Sequence, residues 1–165
     1  MEDRAPEVIL GLPFTEAIDM WGLGCVLSVL FLSCHLLEIG CEYQKIMNIL
    51  DVLGQPGNHL LDAGTFTNKF FNTNQHLEVS PMEYKKTTGV ELQKSERPLN
   101  NLDEIVTLPP GVKECIELED RRALVCLLKG ILDSHHNRRI TPEKALKHPF
   151  ITMVHLEEEA DSSMS

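Results

Sequence analysis

RAPEVILGLPFTEAIDMWGLGCV, from Arg4 to Val26, leads into the most hydrophobic stretch of the chain, and its reading decides the fold. From Met20 to Leu37 there is no carboxylate, lysine or arginine. That length permits a membrane span. Gly22, Gly24, Ser28, Ser33, Cys34 and His35 dilute it, however, and no basic cluster flanks either end to orient it. The other reading is a helix apolar on every side, which in a soluble protein is a central helix wrapped by others. Asp19, with Glu16 upstream, suits the start of such a helix, where a carboxylate accepts bonds from orphan amides. The buried helix is the preferred reading.

Outward from this helix, Tyr43, Ile46, Met47, Leu50 and Leu53 recur at three- and four-residue steps before Gly54. The pattern predicts a helix over 42–53 whose apolar face is core or interface. From Gly57 to about Glu119 the character changes. Asn and Thr are frequent, Pro81, Pro98, Pro109 and Pro110 interrupt any long pattern, and Phe66, Phe70 and Phe71 anchor one short stretch. This segment reads as a loop-rich insert with short helical turns. Regular structure is expected again at Asp120, where Leu124, Leu127, Leu128 and Ile131 outline an amphipathic helix. Thr141-Pro142-Glu143 then gives a cap, a first-turn proline and a first-turn acid, for a short helix through Leu146 ended by His148-Pro149. No strand pattern is convincing. The expected fold is mainly α, with one domain over 1–154 and an acidic, frayed tail over 155–165.

The whole chain has 165 residues and a mass of 18.6 kDa, with 25 acidic and 15 basic side chains and a net charge of -10. A non-specific nucleic-acid binder needs a basic face to displace counterions, so direct nucleic-acid binding is not expected. Aromatic residues are only 5% of the chain, too few for a base-stacking platform. Five cysteines (Cys25, Cys34, Cys41, Cys115 and Cys126) include no CxxC pair, and the opening Met1-Glu2-Asp3-Arg4 is charged rather than leader-like. Free thiols in a reducing, intracellular compartment follow as the expectation. The histidines stand apart except His135-His136, and no metal-ligand spacing is visible.

Ala5-Pro6-Glu7, followed after about a dozen residues by Asp19-x-Trp21-x-x-Gly24, resembles the second half of a eukaryotic protein kinase domain. Arg139-Ile140-Thr141 and Leu146-Lys147-His148-Pro149-Phe150 are similar to its closing motifs. VILGLPFTEAIDMW, LLDAGTFTNKFFN, DRRALVCLLKGILDS and RRITPEKALKHPFITMVHL are closer still to the homeodomain-interacting protein kinases. These belong to the branch of dual-specificity-tyrosine-regulated and cyclin-dependent-like enzymes. The resemblance covers essentially the whole chain and implies the helical C-terminal lobe of the kinase fold. It implies that Glu7 pairs with Arg139, and that Asp19 bonds backbone groups of a catalytic loop. It also implies that Arg4 shapes a pocket for the residue after the phosphorylated one; the plainer reading of Arg4 is a solvated charge.

Kinase chemistry needs a Gly-rich loop and a lysine for phosphates, an Asp and an Asn for magnesium, and an Asp as base. In the family all lie upstream of Ala-Pro-Glu, and none is found in this sequence. Gly22-Leu23-Gly24 is no substitute, because its amides would be spent inside a helix. No catalytic, cofactor-binding or metal residue is therefore assigned, although intact relatives use ATP and magnesium. Two functions compete: part of a serine/threonine kinase, inactive alone, or a catalytically dead interaction module that regulates relatives. Expected partners are proteins, transcription regulators among them, in nucleus or cytoplasm. Helix-covering segments upstream in the family are absent from this sequence, which predicts uncovered apolar side chains on the long helix and a chain that folds marginally, self-associates through them or needs a partner to cover them.

Three departures from the family pattern stand out. Gly22 replaces a usual serine, Ser33 to Gly40 replaces a turn rich in glycine and proline, and His135 replaces a common acid. They predict a looser helix, a looser bend and altered substrate-side geometry.

Overall fold

Met20 to Leu32 of the uncharged run lie in a single helix, α2 (Ala17–Leu32), preceded by the short α1 (Pro6–Leu10), and Ser33 to Leu37 lie beyond its end. The computed structural model describes residues 4–37, 40–72, 77–92, 99–108 and 115–156. After α2 come α3 (Glu42–Leu53), α4 (Asn58–Ala63), a 3-10 turn at Thr67–Lys69, β1 (Phe71–Asn72) and β2 (Leu77–Glu78). Then follow α5 (Pro81–Thr88), a 3-10 helix at Leu102–Thr107, α6 (Cys115–Ile131), α7 (Pro142–Ala145) and α8 (Pro149–Thr152). The fold is mainly α, as the sequence indicates. No described helix is long and apolar enough to cross a membrane.

Helix α2 is apolar all round yet covered on one side only. Met20, Trp21, Gly24, Cys25 and Ser28 are buried, and this face packs on α6. Gly24 allows the approach: a Cβ there would lie 2.6 Å from Ile131 and 2.7 Å from Leu132. The opposite face leaves Leu23, Val26, Leu30 and Phe31 exposed, Leu30 by 74%. The picture of a helix wrapped on every side is thus corrected for this chain, and the uncovered stripe is present. At its end, Ser33 takes the left-handed conformation (φ 57°) usually left to glycine.

Helix α3 has the bounds its periodicity gives, and Gly54 beyond it holds φ 88°. Tyr43, Ile46, Ile49, Leu50 and Val52 are buried in the main core. That face is core, which removes it as a docking surface. Part of what buries it is the segment read as a loop-rich insert. The Tyr43 hydroxyl donates to the Val79 carbonyl at 2.7 Å, and the Tyr43 and Tyr84 rings stack with centroids 4.5 Å apart. Phe70 stacks on Tyr84 in turn, and Phe70 and Phe71 are closed from solvent whereas Phe66 is half-exposed.

The segment also carries order the sequence pattern did not disclose. β1 and β2 pair antiparallel, Phe71 opposite Glu78 and Asn72 opposite Leu77. Strands of two residues are too short for alternation to show. In α5, Ser80 caps by accepting the Glu83 amide at 3.3 Å, Pro81 opens the helix, and Gly89 closes it at φ 72°. Asn101 caps the 3-10 helix, whose Leu102 and Ile105 are buried where it packs against α6.

Helix α6 begins at Cys115, five residues before the expected Asp120. Ile116 is exposed in its first turns, so no periodic apolar face marks them. Thr141 caps α7 from the Lys144 amide at 3.4 Å, as its motif implies, and α7 closes at Ala145. His148 then serves as a cap itself, its Nδ1 accepting the Phe150 amide at 3.2 Å. The reading of 155–165 as tail meets an ordered start. His155 places its two ring nitrogens 3.0 Å from Pro149 O and 3.0 Å from Asp120 Oδ1. Residues 157–165 lie outside the described residues.

Candidate functional site

Glu7, Trp21 and Arg139, three of the residues that carry the family resemblance, meet at one buried ion pair. Proline at the first helical position presets α1, and Gly11 ends it in the left-handed conformation (φ 71°), with a Cβ excluded by Phe66 at 2.7 Å. This short helix carries Glu7 inward, 1% exposed, while Ala5 before it is also buried. Arg139 comes from the turn between α6 and α7. Its Nη1 donates to Glu7 Oε1 at 2.7 Å and its Nη2 to Glu7 Oε2 at 2.9 Å.

The remaining donors are also used. Nη1 reaches the Ala17 carbonyl at 2.8 Å, while Nε and Nη2 reach the Asp133 carbonyl at 3.1 and 3.0 Å. All five guanidinium N–H groups are thereby satisfied. Trp21 closes the site, with Arg139 lying 5.1 Å from its ring centroid. The Trp21 indole N–H is buried without a partner among the described residues. Full hydrogen bonding is what makes a buried charge pair tolerable. The arrangement ties α1, α2 and the α6–α7 turn together; it offers no nucleophile, base or open coordination position.

Other named residues fall outside this cluster. Asp19 is exposed in the first turn of α2, at the rim of a cavity of about 410 Å³ that Met20, Asn137 and Arg139 also border. The catalytic loop it would support is not in this sequence. Arg4 lies at the surface and donates to Glu42 Oε1 at 2.8 Å, linking the segment before α1 to the first turn of α3. Sequence reasoning did not find the Ala17 and Asp133 carbonyls that complete the Arg139 shell, since backbone acceptors leave no residue-type signal. Nor did it find His59 beside His135, which are 76 positions apart in the chain.

Among the described residues, the glycine pair offers no cradle for the ATP phosphates that the resemblance implies. Gly22 and Gly24 lie inside α2, their amides within the helix, and Gly24 is pressed against α6. Among the described residues no group of three His, Cys, Asp or Glu side chains is placed to hold a metal ion.

The helical architecture, with Ala-Pro-Glu locked to the closing arginine, is that of the helical lobe of a protein kinase. Residues 3–151 match the protein kinase domain family, and the chain belongs to it. Within that family it is similar to the homeodomain-interacting protein kinases. It is 41% identical over 165 residues to homeodomain-interacting protein kinase 1 of Rattus norvegicus, with 93% of this chain and 14% of that protein covered. It is 40% identical, with the same coverage, to homeodomain-interacting protein kinase 2 of Mesocricetus auratus. It is 36% identical over 171 residues to homeodomain-interacting protein kinase 4 of Homo sapiens, covering 93% of this chain and 28% of that protein. The chain thus spans 14% to 28% of the length of these relatives.

Proposed function

We propose that this chain is the substrate-side part of a serine/threonine protein kinase and is inactive by itself. The observation that carries the reading is the fully buried Glu7–Arg139 pair. On this reading it holds the end of an activation segment to the closing helices, the framework against which a protein substrate is positioned. The parts that would hold nucleotide and magnesium and accept the substrate proton have no counterpart in the sequence. On this reading Arg4 shapes a substrate pocket when its pairing with Glu42 is displaced. The expected result is no magnesium-dependent ATP turnover by the purified chain against a generic protein substrate. Turnover above a denatured control overturns the reading. Mapping the 5′ end of the message tests the parent enzyme: an upstream exon with a Gly-rich loop, His-Arg-Asp and Asp-Phe-Gly supports it.

The exposed stripe Leu23, Val26, Leu30 and Phe31 favours a second reading, a catalytically dead interaction module that binds proteins. The names of the relatives record interaction with homeodomains; for this chain, transcription-regulator partners and a nuclear setting are proposals from that likeness. A co-precipitation with a full-length relative separates the two, since only a module retains a partner stably.

A further inference from the structure

Away from the ion pair, two imidazoles from distant parts of the chain meet at hydrogen-bond distance. His59, in α4, and His135, in the turn after α6, place their Nε2 atoms 3.1 Å apart. The two residues are separated by 76 positions, so the contact is made by the fold and not by local geometry. We propose that His59 and His135 form a two-imidazole site for a borderline divalent transition-metal ion of the zinc or copper class.

Geometry carries the proposal first. An ion bound at the usual zinc–nitrogen length of about 2.05 Å to both atoms would subtend about 98°, between square and tetrahedral angles. Two imidazoles meeting head-on at the same separation would hold their ring centres about 5.4 Å apart, and two converging on a shared ion about 4.8 Å. The observed centroid separation is 5.1 Å with the ring planes inclined by 43°. The separation lies between the two cases, and a modest rotation of the exposed His59 ring would bring both nitrogens onto one ion.

The surroundings carry it further. A Cβ at Gly57 would lie 2.7 Å from His59 Cε1 and 2.9 Å from its Nδ1, so the glycine leaves the ring room to lie where it does. His59 is exposed, which gives an ion and its waters access from solvent. His135 borders a cavity of about 360 Å³ lined also by Gly57, Asp133 and Arg138. Both cations that line this cavity are paired with carboxylates, Arg138 with Asp133 at 3.0 Å and Lys129 with Asp103 at 2.7 Å. No third protein donor completes the group among the described residues, so water fills the remaining positions. The ion would staple α4 to the α6–α7 turn, next to the residue that anchors Arg139.

The test uses the full chain with ZnCl2 and, separately, CuSO4 as probes, in isothermal titration and by copper electron paramagnetic resonance. The expected result is one ion per chain, with two nitrogen couplings, and at least tenfold weaker binding in both His59→Gln and His135→Gln. His136→Gln, which alters the neighbouring ring, should bind like the parent. Because His59 is exposed, H59Q keeps the test decisive even if H135Q fails to fold. No saturable binding at 1 mM metal, a single nitrogen coupling, or equal affinity in parent and H59Q overturns the proposal.

Discussion

Glu7 and Arg139 stand 132 residues apart in sequence and face each other through two hydrogen bonds of 2.7 and 2.9 Å, neither side chain reaching solvent. Such a pair contributes little net stability over well-packed apolar groups, but removing one partner strands the other in a low-dielectric site. Glu7→Ala and Arg139→Ala are each expected to cost about 3–5 kcal/mol. The double variant Glu7→Leu/Arg139→Met should recover a large part of either loss. Urea unfolding followed by circular dichroism measures this. Additive losses in the double variant would show that the pair is not coupled.

Two glycines within one turn of α2 should respond in opposite directions. Gly22 has nothing within 4 Å of where a Cβ would stand, so Gly22→Ala is expected to stabilise α2 by up to about 1 kcal/mol through helix propensity. Gly24 abuts Ile131 and Leu132, and Gly24→Ala must push α6 away at a cost of about 1–3 kcal/mol. Thermal melts of the two variants check the pair. A common sign would contradict the close α2–α6 approach.

Much of this arrangement is legible in the order of residues alone. The bounds of α3 follow from its 3.6 periodicity and Gly54, and the meeting of Glu7 with Arg139 follows from a resemblance to a family rather than from spacing. What stays hidden has physical causes. The paired strands at Phe71 and Leu77 are two residues long, too short to alternate visibly. The first turns of α6 show solvent an isoleucine, so hydrophobic pattern marks their start in the wrong place. The face of Tyr43 to Val52 suits core or docking equally, because one apolar stripe serves either; Phe70, Val79 and Tyr84 decide it by packing there. Composition likewise does not say which side of α2 is covered, since both sides are apolar.

That uncovered side leads to a prediction about association. Leu30 is 74% exposed, so Leu30→Lys removes little burial and should change stability by no more than about 0.5 kcal/mol. If the stripe drives self-association, the same change shifts the chain towards monomer in sedimentation velocity, and Val26→Lys adds to it. Leu128→Ala, at a fully buried position, provides the contrast: about 2–5 kcal/mol of lost stability with no specific effect on association. Unchanged sedimentation of L30K would remove α2 as the associating surface.

Acid should weaken the C-terminal helices through His148. Its Nδ1 accepts the Phe150 amide at 3.2 Å, which requires a lone pair and hence the neutral ring. Burial, and then the nearby charge of His155, push its pKa below the ordinary value. His135 moves the same way through burial and then Arg138, with smaller contributions from His59 and His136 opposed by Asp133. A folded-state pKa lowered from about 6.5 means that the unfolded chain binds more protons below that pH. The stability contribution is therefore complete above about pH 6.5 and is lost as pH falls through the lower folded value. Glu91 and Glu104, whose carboxyls are drawn down by Lys85 and Asn100 respectively, release theirs only at more acid pH. Melting temperature should thus decline between about pH 7 and 5, a window left to imidazoles. His148→Asn keeps a side-chain acceptor for the cap and cannot titrate there, so its profile should be flatter. An H148N profile that follows the parent throughout this window would remove His148 as the source.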